Sequence, residues 1–99
     1  MKEVKISWNG KEEAVVLKKL TWGEMNEVLR QAIGKIKIIG AETPAVDFDV
    51  VTFREQLLLK SIKSAPFKVD IETIRSLDPE IADKLLAEAL TLNPFRGIF

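Results

Sequence analysis

The dipeptide Asn9-Gly10 is the strongest local constraint in this chain, because it joins two strand-like runs through the pair of residues that most readily forms a two-residue hairpin turn. Both central positions of a type I′ turn need positive φ, which Asn and Gly tolerate best. On the N-terminal side Val4, Ile6 and Trp8 alternate with Lys5 and Ser7; on the other side Ala14 to Leu17 resumes an apolar, β-branched run. A two-residue turn sets the register, pairing Trp8 with Lys11 and Val4 with Val15. One face of the hairpin then carries Val4, Ile6, Trp8, Val15 and Leu17, with Glu13 as its misfit.

The pattern changes from period 2 to helical spacing at Thr21-Trp22-Gly23-Glu24. Here Thr21 can accept from the backbone N–H of Glu24 while the Glu24 side chain reaches back, which is a capping box. Met25, Val28, Leu29, Ala32 and Ile33 follow at helical spacing, and Gly34 is a candidate stop. Trp8 is expected in the core and Trp22 in packing around the cap. Lys35 to Gly40 alternates like a strand and is a candidate third strand, or else a lead into the loop through Pro44.

From Asp47 to Thr52 the chain offers several caps, among them a second capping-box pattern at Thr52-Phe53-Arg54-Glu55. Phe53, Leu57, Leu58, Leu59 and Ile62 predict a buried helix to about Ser64, ended by Pro66. Asp70 caps a short helix with Ile71, Ile74 and Leu77, and Asp78-Pro79 opens a last helix reaching about Leu92. That helix sets Ile81, Leu85, Ala89 and Leu92 on one stripe with Ala82, Leu86 and Leu90 beside it, so its apolar face is wide. Asn93-Pro94 ends it, leaving Phe95-Arg96-Gly97-Ile98-Phe99. The predicted class is α+β: an N-terminal β-hairpin, with the candidate third strand, packed with three to four α-helices. It forms one domain over 1–99, with the hairpin at 2–18, a helical part at 21–93 and a short apolar tail at 94–99.

Composition narrows the function. Fifteen basic and fifteen acidic residues cancel, so no global field attracts the phosphates of a nucleic acid, and Lys35, Lys37, Lys60 and Lys63 read as solvating charges. With no Cys and no His, the chain has no disulfides, zinc fingers, thiolate nucleophiles or the usual base of a serine triad. Of the close carboxylates, Asp47/Asp49 precede a helix, where capping favours acids. That pair lacks the other oxygen ligands and the turn glycine of a calcium loop, and Glu12/Glu13 add nothing more specific. The five glycines form no phosphate-cradling pattern, and Ser7, Ser61, Ser64 and Ser76 lie outside any nucleophile-elbow motif. No catalytic residue, cofactor or metal is expected. With no long apolar run and no leader-like start, the expected location is the cytoplasm, that of the host if the protein is viral.

Taken in order, the hairpin, then KKLTWGEMNEVLRQA, then FREQLLLKSIKSAP, then IRSLDPEIADKLLAEALTLN resembles the tail assembly chaperones of long-tailed phages and prophages. The resemblance covers most of residues 2–93. It rests on the Leu20-Thr21-Trp22-Gly23-Glu24 helix opening, the leucine-rich helix ending Lys60-Ser61-Ile62 before Pro66, and the Leu77-Asp78-Pro79 opening of a helix that ends Leu92-Asn93. It implies a non-enzymatic role, coating a long helical tape measure protein during assembly and helping to recruit tail tube subunits. A longer form made by programmed ribosomal frameshift near the end of the short reading frame is also implied. A binder of exposed apolar helix that must later release calls for modest, numerous contacts rather than one tight pocket.

The residues expected to touch such a protein partner are Leu86 and Leu90 on the last helix and Phe95, Ile98 and Phe99 in the tail. Three large apolar residues beyond the last helix are buried only by folding back or by meeting a partner, and both routes are open. Competing readings are a small structural tail subunit that self-associates through the hairpin edge and a nucleic-acid-associated regulator using the helices from Leu57 to Leu92. A homo-oligomer is among the expectations; nucleic acid and membrane partners are not.

Overall fold

The computed structural model describes residues 1–33 and 48–94. Over these residues the protein is α+β, with a three-stranded antiparallel sheet and four helices in the order β1 (Lys2–Trp8), β2 (Lys11–Leu17), α1 (Trp22–Ala32), α2 (Val50–Ser61), β3 (Ile62–Ser64), α3 (Ile71–Ser76) and α4 (Pro79–Leu92).

The hairpin has the register that its turn dictates: Trp8 lies opposite Lys11 and Val4 opposite Val15, while Asn9 and Gly10 take φ of 52° and 76°. Val4, Ile6, Val15 and Leu17 are buried on the inner face, and Trp8 stacks obliquely on Phe67 with ring centroids 5.2 Å apart. Glu13 sits opposite Ile6 and is half-buried.

The sheet runs β1-β2-β3, so the third strand is Ile62–Ser64 and the expectation for Lys35 to Gly40 falls outside the described residues. The same strand corrects the end of α2, expected near Ser64 and found at Ser61. At Ile62 the backbone turns extended (φ −80°, ψ 116°) while its N–H still donates to the Leu58 carbonyl. One residue earlier, the Ser61 carbonyl accepts from Lys18 N–H at 2.8 Å. Pairing with β2 replaces the next helical turn, and the β-branched Ile62 is buried in the core under the sheet.

The start of α2 also differs from the Thr52 capping box. The N-cap is Asp49, whose carboxylate accepts from the backbone N–H of Val51 (3.0 Å) and Thr52 (3.1 Å) and from the Thr52 hydroxyl (2.8 Å). With its hydroxyl and N–H both engaged, Thr52 lies inside the first turn, and Glu55 turns instead to Arg75. The other starts follow the sequence: Thr21 and Glu24 form the reciprocal box of α1, Asp70 caps α3 through Thr73 N–H, and Asp78 caps α4 with Pro79 behind it. Helix α1 stops at Ala32, one residue before Ile33 bridges to Phe48; Gly34 lies outside the described residues.

These caps make stability acid-sensitive. The Glu24 carboxyl is held low chiefly by the Thr21 backbone N–H, that of Asp49 by Thr52 N–H and that of Asp70 by Thr73 N–H. A carboxyl lowered in the fold contributes fully above its ordinary value, 4.5 for Glu24 and 3.8 for the two aspartates, and the contribution is lost as pH falls through the lowered value. No histidine titrates between about pH 5 and 8. The urea midpoint is therefore expected to be flat from about pH 7 to 5 and to fall below that, with a shallower fall in Asp49→Asn/Asp70→Asn.

Two apolar clusters fill the interior. The first joins Val4, Ile6, Val15 and Leu17 of the sheet to Leu58, Ile62, Ile74, Leu77, Leu85 and Ala89; the second joins Leu20, Val28 and Ala32 to Phe53 and Leu57. Helix α4 serves both, with Leu86 packed against each.

Candidate partner-binding surface

The apolar residues that α2, α3 and α4 turn toward one another do not fully close over. A depression of about 180 Å³ remains between the three helices, floored by Leu58, Ile74, Ala82 and Leu86, with the exposed Val51 at its edge. Two ion pairs frame it: Arg54 on α2 reaches Asp83 on α4 at 3.3 Å, and Arg75 on α3 holds Glu55 on α2 through two bonds of 2.8 and 2.9 Å. The fork-like contact from the Arg75 guanidinium is the main reason the Glu55 carboxyl stands below the usual carboxylate range. The depression has a rim carrying both signs of charge. Such a surface accepts an apolar knob from a helix and offers polar groups to either side of it.

A second, shallower hollow of about 500 Å³ lies between the hairpin tip and the start of α4, with Ile6, Ile81 and the charged Lys11, Glu12, Glu80 and Lys84 around it. Lys84 Nζ is committed there to the Lys5 carbonyl at 2.7 Å, and the opposed charges leave no consistent sign to attract a charged ligand.

Of the residues singled out in the sequence, Leu86 lines the groove. Leu90 is half-buried one turn further on, against the second cluster, so it supports the helix rather than lining the groove. Phe95, Ile98 and Phe99 lie outside the described residues. Trp22, expected to pack around its cap, is instead 83% exposed: the box is closed by Thr21 and Glu24, and the indole at the first helical position lies outside it.

Several of the candidate polar groups serve structural roles, and Asp47 lies outside the described residues. Asp49 is occupied as a cap, Glu12 and Glu13 occupy successive, opposite-facing strand positions, and Ser76 donates to the Glu72 carbonyl. Ser61 is fully buried beside Asn93. Among the described residues, no group of three or more His, Cys, Asp or Glu side chains is placed to hold a metal ion, and no helix is long and apolar enough to cross a membrane.

Asn93 was not evident as more than a helix stop. It is buried and ties the end of α4 to the β2–α1 connection: its Oδ1 accepts from Leu20 N–H at 2.7 Å, and its Nδ2 donates to the carbonyls of Lys18 and Ala89, both at 3.2 Å. The signal was present in the spacing. Asn93 continues the Leu85, Ala89 line by four residues, so it falls on the buried stripe, where a side-chain amide must find partners. No protein-family model, curated protein or solved structure matches the chain.

Proposed function

We propose that this chain is a non-enzymatic tail assembly chaperone of the long-tailed phage type, binding a helical tape measure protein, and with it tail tube subunits, through the groove between α2, α3 and α4. The observation that carries the reading is the apolar depression at Leu58, Ile74 and Leu86 between two exposed ion pairs. A helix laid across it inserts one apolar side chain at a time, and its polar flanks meet Arg54, Asp83, Glu55 and Arg75. Contacts of this size are individually weak, which suits a partner that must be released as a tube grows. Among the described residues, the β1 edge of the sheet supports strand addition less well, since it carries the exposed Lys2, Glu3 and Lys5.

The test is co-purification with any long helical protein encoded beside this gene, followed by calorimetric titration of Val51→Asp and Leu86→Asp. Val51 is 56% exposed in the first turn of α2, where an acid suits the helix N-terminus, so that variant keeps the fold. A loss of about ten- to thirty-fold in affinity is expected for each, as for a central contact of an interface. Binding undiminished in both variants would remove the groove from the interface. An isolated gene, with no long helical reading frame nearby and no overlapping frame reached by frameshift near Asn93, would sink the chaperone reading itself.

A further inference from the structure

We propose that Lys84 guards the β1 edge of the sheet, keeping β1 from pairing with β1 of a second copy of this chain. The hairpin turn decides which backbone groups of β1 face that edge. Trp8 and Lys11 flank the two-residue turn and form its closing hydrogen-bonded pair, and the two kinds of pair alternate from there. Ile6 and Val4 therefore bond to β2, while Ser7, Lys5 and Glu3 turn their N–H and C=O groups away from it. Such a row is a template for another strand. On the other side of the sheet β3 is three residues long and offers little to pair with, whereas β1 runs for seven.

Side chains of α4 reach this edge. The Lys84 ammonium donates to the Lys5 carbonyl at 2.7 Å, in the middle of the three outward-facing residues, and Glu88, one turn along the helix, pairs with Lys2. An acceptor held by a charged donor is taken from an incoming backbone N–H, whose neutral bond is the weaker of the two. The strand that suits the edge once it is released is a second β1. In the antiparallel two-fold register centred on Val4, Glu3 of each copy lies opposite Lys5 of the other, and both residues face outward, so the strands match in hydrogen bonds and in charge. Centred on Lys5, the same pairing sets lysine against lysine. The guard stands apart from the groove reading, since neither Lys84 nor Glu88 lines the groove.

Analytical ultracentrifugation of the full chain tests it, comparing the intact protein with Lys84→Met, Lys84→Ala and Lys84→Arg. Lys84 is exposed on α4 and all three replacements are good helix formers, so the variants keep the fold. Pairing breaks one Lys84 contact in each copy, and self-association of Lys84→Met and Lys84→Ala is expected to be at least about ten-fold tighter than that of the intact chain. Lys84→Arg, which keeps a charged donor, should match the intact chain. Adding Glu3→Lys to Lys84→Met sets lysine against lysine across the strands and should return association to the level of the intact chain. Amide exchange places the contact: the Lys5 N–H of Lys84→Met should gain protection as protein concentration rises. Unchanged association in both Lys84→Met and Lys84→Ala overturns the proposal. So does association that survives Glu3→Lys and leaves the Lys5 N–H exchanging freely, which puts the contact elsewhere. Protection of the Lys5 N–H in the intact chain at every concentration overturns it as well, because the edge is then already covered.

Discussion

Asn93→Ala is expected to lower stability by about 2–4 kcal/mol, read as a drop in the urea midpoint at unchanged slope. The side chain is only 4% exposed, and its two ends serve opposite needs. The Oδ1 atom receives the buried N–H of Leu20, and the Nδ2 group serves the carbonyls of Lys18 and Ala89. Truncation leaves the Leu20 N–H without its acceptor and the Lys18 carbonyl with one donor fewer, and a stranded buried group costs about 1–3 kcal/mol. Ala89 loses less, because its carbonyl also receives the Asn93 backbone N–H. Asn93→Asp separates the two halves of the argument: the acceptor for Leu20 is kept, but a carboxylate then faces two carbonyl oxygens. That variant should be as unstable as the alanine near neutral pH and recover in part on acidification, as a protonated carboxyl regains a donor. A loss below about 0.5 kcal/mol in Asn93→Ala would show that the amide fills space and does not hold the helix end.

Leu85→Ala is expected to cost about 3–5 kcal/mol, the upper part of the range for a buried leucine. Leu85 is fully buried in α4 and belongs to the cluster formed by the sheet and the helices. Two features keep the void from closing. The helix is fixed at its start by the Asp78 cap with Pro79 and at its end by Asn93, so it cannot slide toward the sheet. The opposite wall is the paired β1–β2 hairpin, whose register is locked by its turn. For a domain of this size such a loss is a large share of the total, since native stabilities are typically about 5–15 kcal/mol. The groove gives an internal comparison. Ala82 and Val51 line it beside open space, so truncating Val51 to alanine should change stability by no more than about 0.5 kcal/mol.

The elements were legible wherever one residue type settles a backbone question. Asn9-Gly10 fixed the hairpin and its register because few residues accept positive φ. Thr21, Asp70 and Asp78-Pro79 fixed three helix starts because the first backbone N–H groups of a helix need acceptors that those side chains supply locally. The stripe on α4 fixed its buried line, and Leu86 could be named beside that line as a residue near a surface.

What depended on partners distant in the chain was decided by the tertiary structure. Ser61 ends α2 because Lys18, forty-three residues earlier, presents a backbone N–H to its carbonyl, and no local propensity encodes that bond. Glu55 left a local capping pattern for Arg75 on α3, twenty residues away, where a guanidinium offers two bonds at once. Trp22 has the composition of a core residue and is exposed, because exposure depends on which elements reach the first turn of α1. The groove itself is a gap among three helices separated in sequence, and a gap has no residue of its own to mark it. Hydrophobic period and cap chemistry act over three or four residues and are therefore written in the sequence; strand partners, long ion pairs and the spaces between helices depend on how the finished elements pack.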